Sequence, residues 1–186
     1  DQLAAHLDAE VANLREDWQA EINLNAFAWM QALGQSLKRG YVLTIDYGDL
    51  ADLIYSPERA QGTITTYAKH AQLINPYVDP GSRDITSHAN FTTLKRAGES
   101  AGLTPVALTT QRRFLLNIGL RTLIEATRNR SMTTQERQSN LMGLRELIKP
   151  EGLGAFRVLF QAKDAPTDGL GGLDNDGTFA DAFDQR

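Results

Sequence analysis

Gly40-Tyr41-Val42-Leu43-Thr44-Ile45-Asp46-Tyr47-Gly48 is the stretch whose reading decides the fold. An apolar, β-branched run opens after one glycine and closes on a carboxylate, a phenol and a second glycine. Its length alone leaves strand and buried helix open; its β-branched and aromatic content, bounded by glycines, favours strand. A continuous apolar run of this kind suits a strand covered on both faces, as in a parallel sheet. Asp46 then stands at the carboxyl end of that strand, where open α/β sheets place their ligands. The plainer alternative is an aspartate that caps its own turn.

Working outward, the upstream residues read as helices. Leu3, Leu7, Val11, Leu14 and Trp18 recur every three or four positions, so residues 3 to about 16 are expected to be helical. After the extended piece 20–23, Leu24, Phe27, Met30, Leu33 and Leu37 form the stripe of a second helix, which Gly40 stops. Helix, glycine and buried strand together make half of a parallel crossover unit.

Downstream, residues 49–59 read as a loop or short helix and residues 62–67 as a weak strand. Turn signals crowd residues 69–89 (Asn75-Pro76, Asp79-Pro80-Gly81), so a long irregular insertion is expected there. Asn90 caps a helix carrying Phe91, Leu94, Ala97 and Ala101, ended by Gly102. Residues 104–108 make a strand candidate with Pro105 near its start. Phe114 to Ile124 is one kinked helix or two, divided at Gly119. Thr133 to Glu136 matches a capping box, opening a helix that contains Leu141, Leu144 and Ile148. Alternation of Phe156, Val158 and Phe160 with Arg157, Leu159 and Gln161 reads as a half-buried strand. Two segments result: a folded part, 1–163, and a glycine- and aspartate-rich tail, 164–186, expected to be disordered.

Bulk properties exclude several classes. The chain has 186 residues, 41% hydrophobic and 23% charged, enough for one α/β domain with a substantial core. A net charge of -4 offers no basic face, so no nucleic-acid partner is expected. Zero cysteines exclude disulfides, thiolate metal sites and a cysteine nucleophile, and suit a cytoplasmic location. No apolar segment approaches the roughly 20 residues of a membrane span. The sequence opens on Asp1 without methionine, which suggests a piece of a longer protein.

The polar residues worth weighing are Glu21, Asn23, Asp46, Tyr47, His70, Asp84, Thr86 and His88. Asp84 and His88 are four apart and would share one face of a helix. With Asp46 and His70 they compose a conceivable metal set, the basis of a metal-dependent hydrolase reading, but no ligand motif of defined spacing accompanies them. No metal is expected. Asp174-Asn175-Asp176-Gly177 matches only part of a calcium loop. No Gly-x-Ser-x-Gly elbow, phosphate-cradling loop or Gly-x-Gly-x-x-Gly turn is present.

At these same residues the chain resembles a known family. Glu21-Ile22-Asn23, Trp29, Arg39-Gly40 and Leu43 through Gly48 resemble the MidA-like S-adenosylmethionine (SAM)-dependent methyltransferases, which include a mitochondrial assembly factor of respiratory complex I. The likeness continues through Gly62-Thr63, Tyr67, His70, Pro80-Gly81 and Asp84-Ile85-Thr86 to Phe91. It resumes at Gln111, Phe114-Leu115, Ile118-Gly119 and 149–154. Ala89-Asn90 departs from the family's usual Val-Asp.

The resemblance implies an α/β fold: the second half of a class I, Rossmann-like methyltransferase, with helical and loop insertions and an antiparallel strand pair at the sheet edge. It implies SAM as cofactor in the full-length protein, with its main binding residues upstream of Asp1, so that the fragment alone is inactive. It further implies an arginine of a protein partner as acceptor, Asp46 and Glu21 as catalytic residues, and Tyr47, His70, Asp84, Thr86 and His88 around the substrate. A homodimer is possible on this reading. The alternative is a non-catalytic module for protein binding or assembly.

Overall fold

In the computed structural model, residues 3–6, 15–68, 71–73 and 75–173 are described. The chain divides into two compact units, residues 1–36 with 48–101, and residues 37–47 with 102–186.

The second unit contains the decisive stretch. Gly40–Asp46 is a strand, β1, as its composition demands. It pairs antiparallel with β8 (Arg157–Lys163), which pairs antiparallel with β7 (Thr104–Thr110), giving the order β1-β8-β7. The expected burial of β1 on both faces does not hold among the described residues. β1 is an edge strand; Val42 is buried, while Tyr41, Leu43 and Ile45 are each more than 40% exposed. The strand expected to be half-buried is instead the central one. Val158, Leu159 and Gln161 of β8 are fully buried, and sheet partners flank this strand on both edges. The antiparallel pair expected from 104–108 and 155–162 is present, with an irregularity between Pro105 and Ala107. Tyr41 lies diagonally across from Phe160, ring centroids 5.3 Å apart.

Three helices separate β7 from β8: α4 (Gln111–Asn117), α5 (Leu120–Asn129) and α6 (Thr134–Leu147). Gly119 divides the first two, so the ambiguous segment is two helices. Thr133 and Glu136 form the expected capping box: Thr133 N–H donates to Glu136 Oε2 (2.9 Å), and Glu136 N–H to Thr133 Oγ1 (3.2 Å). Residues 164–173, the start of the expected tail, make defined contacts. Tyr41 Oη donates to the Pro166 carbonyl, and Gly172 is buried where a side chain would meet Phe114 and Ile118. The rest of that segment, with the calcium-like stretch, lies outside the described residues.

In the first unit, residues 3–6 are helical; of the other positions expected in that helix, 15 and 16 are non-helical and the rest fall outside the described residues. Helix α1 (Leu24–Ser36) packs on α3 (Phe91–Ser100), and Gln31 Nε2 donates to Ser100 Oγ (3.1 Å). The buried face of α1 is narrower than its apolar stripe: Met30 and Gly34 are buried, whereas Leu24 and Phe27 are exposed. Asn90 Oδ1 accepts from Thr93 N–H, the expected cap of α3.

Two small sheets complete the unit. Gly48–Asp49 (β2) runs parallel to Ala89–Asn90 (β6) and leads into the short helix α2 (Ala51–Ile54). Thr65–Ala68 (β3) lies between Ala71–Leu73 (β4) and Asp84–Thr86 (β5), both antiparallel to it. The segment expected to be irregular therefore carries two short strands. Strands of three residues are too brief to show alternation in a sequence rich in turn signals.

Candidate functional site

The first unit gathers its polar groups around Glu21. The short 3₁₀ turn Pro57–Arg59 returns the chain through Gly62, whose N–H donates to the Arg59 carbonyl (2.9 Å). The next residue, Thr63, donates to Glu21 Oε2 twice, from its backbone N–H and its hydroxyl, each at 2.8 Å. Thr63 Oγ1 also accepts from the His88 N–H (3.1 Å), so one hydroxyl joins Glu21 to the strand-to-helix approach at 88–90. Behind it, Tyr55 Oη donates to the Glu21 carbonyl (3.4 Å) and accepts from Asn90 Nδ2 (3.3 Å).

Gly62 is required here on two counts. Its φ is +77°, a region costly to residues with a Cβ, and an added Cβ would collide with the Glu21 carboxylate. Gly48 is required for a different reason. Its bare Cα lets β2 approach the Ala89 backbone so closely that a Cβ would overlap that residue's carbonyl.

The electrostatics of the cluster are mixed. Burial, and then the charge of Arg59, hold the His88 imidazole below its ordinary pKa of 6.5, against the opposing pull of Asp49 and Glu21. Neutral imidazole is therefore the form at pH 7. Among the described residues nothing donates to Glu21 Oε1, which leaves that oxygen open to a cationic or hydrogen-bonding group.

Of the residues singled out from sequence, Glu21 and His88 are brought together through Thr63. Asp84 and Thr86 stand on β5, with Thr86 opposite Thr65 and donating to its carbonyl (3.3 Å). Asp84 is thus four residues from His88 along a strand and its exit, not on one helical face. His70 lies outside the described residues. Asn23 Oδ1 accepts from Ala26 N–H at the start of α1 (3.1 Å), a capping role.

Asp46 and Tyr47 belong to the second unit. Asp46 ends β1 and accepts from the Tyr47 N–H (2.8 Å), so the turn-capping reading is realised in one oxygen. Asp46 is exposed, and nothing among the described residues donates to its other oxygen. The Tyr47 ring packs near Phe156, 5.8 Å between centroids. Sequence reasoning gave Thr63 no role in the site, although Gly62-Thr63 carries part of the resemblance, and it passed over Arg59. No spacing motif marks either residue; the turn that returns them to Glu21 had to be seen.

Among the described residues no group of three or more His, Cys, Asp or Glu is close enough to hold a metal ion. No helix there is long and apolar enough to cross a membrane.

Comparison with known proteins places these features in context. Residues 1–109 match the model of the family described as "Putative S-adenosyl-L-methionine-dependent methyltransferase". The chain is similar to the crystal structure of a COG1565 superfamily member from Burkholderia thailandensis bound to S-adenosyl-homocysteine. The TM-score is 0.75 and the identity 29%, over 92% of this chain and 43% of that one. It is also similar to the native structure of an uncharacterized COG1565 superfamily protein from the same organism, with TM-score 0.74 and identity 29%, over 89% of this chain and 43% of the other. The chain thus spans less than half the length of these relatives. No curated protein matches it significantly.

Proposed function

This chain belongs to that family of SAM-dependent methyltransferases, and from that premise we propose that it is the acceptor-side, carboxy-terminal part of a methyltransferase domain acting on an arginine of a protein partner. The observation that supports the reading best is the sheet order β1-β8-β7. A strand ending in Asp46 is followed by an antiparallel pair at one edge, while its own other edge takes no strand among the described residues. An open edge with exposed Tyr41, Leu43 and Ile45 is the kind that further strands of the same sheet cover.

The residues described do not by themselves fit the cofactor. No glycine-rich turn among them joins a strand's carboxyl end to a long helix, and Gly48 is committed to the Ala89 backbone. SAM supplies an electrophilic methyl group; its main contacts belong, on this proposal, to the portion that the longer relatives carry. What this chain's residues do is hold the acceptor. A carboxylate accepts the fork of guanidinium donors in two parallel hydrogen bonds, fixing the attacking nitrogen. Asp46, with one oxygen not engaged by described residues, takes that role first, and Glu21 through Oε1 second. In the first unit, Asp84, Thr86 and His88 are the further residues we assign to the acceptor; Tyr47 follows Asp46 in the second unit, and His70 lies outside the described residues.

A second reading, a non-catalytic module that binds a protein through the β1 edge, is favoured by the same exposed apolar row. Incubating the protein, with the remaining portion of its domain, with methyl-labelled SAM and total cell protein separates the two. Labelled methylarginine after hydrolysis supports the transferase. Label confined to other residues overturns the arginine acceptor, and no label at all favours the module.

A further inference from the structure

We propose that Arg59 is a carboxylate-recognition residue: its guanidinium binds a carboxylate group of a ligand beside the Glu21–Thr63–His88 cluster. The Nη1 atom of Arg59 is buried and donates to no acceptor. Within the described structure the guanidinium makes neither an ion pair nor a hydrogen bond, although Asp49 and Glu21 both act electrostatically on neighbouring His88. A buried, charged donor left without an acceptor is costly and rare in native structures, and an incoming acceptor would relieve that cost. The backbone holds the residue firmly: Arg59 N–H donates to the Ser56 carbonyl and the Arg59 carbonyl accepts from Gly62, so the side chain leaves a fixed turn.

The chemistry selects the ligand. A planar fork of donors matches a carboxylate in two parallel bonds. The nearby carboxylates of Asp49 and Glu21, and an imidazole kept neutral, make the surroundings unfavourable to a dianion, so a monoanionic carboxylate is preferred to phosphate. Two sources share that chemistry: an acidic side chain of the protein acceptor, and the amino-acid end of the cofactor. The inference rests on the methyltransferase reading only for those sources.

The test is side-chain nitrogen NMR of the arginine-labelled chain, titrated with acetate against chloride at constant ionic strength. One resonance, assigned by its absence in Arg59→Lys, should shift saturably with acetate. Acetate affinity should fall at least tenfold in Arg59→Gln and less in Arg59→Lys, which keeps the charge and the fold. An Arg59 resonance that does not respond, or an equal response to inorganic phosphate, overturns the proposal. In the longer protein, S-adenosylhomocysteine is then compared with methylthioadenosine, which lacks the amino-acid carboxylate. If Arg59→Gln weakens only the former, the cofactor is the source; if it weakens neither but raises KM for protein acceptor, the acceptor is. Weakening both equally overturns carboxylate recognition. Methyl transfer unaltered in Arg59→Gln would sink this inference while leaving the methyltransferase reading intact.

Discussion

Gly62 and Glu21 exclude one another's bulk: a Cβ on Gly62 would stand 3.0 Å from Glu21 Cδ and closer still to Oε1. The carboxylate cannot simply swing aside, because two donors of Thr63 hold its other oxygen. Gly62→Ala should therefore destabilise the chain by about 1–3 kcal/mol, combining the positive φ with displacement of Glu21. In a Glu21→Ala background the same change should be milder by roughly 0.5 kcal/mol or more. Urea unfolding of the four proteins in the cycle measures this, and strict additivity would deny the coupling.

His88 gives a pH signature. Its folded pKa lies below 6.5, so between that depressed value and about 6.5 the unfolded chain binds a proton that the folded chain refuses. Stability from this residue is complete above about 6.5 and declines as pH falls through the window toward the folded pKa. The thermal midpoint of the wild type should drop with acidification more steeply than that of His88→Asn. Parallel curves for the two would remove His88 as the cause.

The boundary at residue 163, set from composition, can be tested by truncating on either side of the contacts of 164–173. Truncation after Lys163 removes the Tyr41 bond to Pro166 and the packing of Gly172 beside Phe114 and Ile118; truncation after Leu173 keeps both. The shorter protein should be less stable by about 1–2 kcal/mol, one hydrogen bond plus some apolar burial. Tyr41→Phe in the longer one should reproduce about 1 kcal/mol of that loss. Equal melting temperatures for the two truncations would show those contacts to be inconsequential.

Where the chain was legible, the signal was local. The capping box at Thr133, the Asn90 cap, the break at Gly119 and the strand 40–46 each follow from chemistry within four residues. What was not legible depends on neighbours. β1 and β8 have similar apolar content, yet β8 is central and β1 an edge, because a strand's place in the sheet depends on its partners and no strand announces them. The site followed the same rule. Glu21 and His88 stood out as polar residues, but the hydrogen bonds of Thr63 that join them, across 42 and 25 residues, were not legible.

Asp46 provides the sharpest catalytic prediction. Asp46→Asn keeps an oxygen for the Tyr47 N–H and so should leave stability nearly unchanged. It removes the charge and the two-oxygen fork, so on the proposed function methyl transfer to arginine, measured with the remaining portion of the domain present, should fall by about a hundredfold or more, a loss of about 3 kcal/mol. S-adenosylhomocysteine affinity should stay within about threefold. Unchanged transfer would take Asp46 out of the mechanism, and a matching loss of cofactor affinity would make it a cofactor residue.

The central claim is that this chain supplies the acceptor side while the cofactor's main contacts lie in the portion carried by longer relatives. Isothermal titration of S-adenosylhomocysteine into the 186-residue chain tests it most directly. Three missing hydrogen bonds at about 1 kcal/mol each weaken binding more than a hundredfold. The account therefore predicts no measurable heat at micromolar ligand, with binding restored once the remaining portion of the domain is present. Micromolar binding by the chain alone, as a monomer, would contradict it and place the cofactor site within these residues.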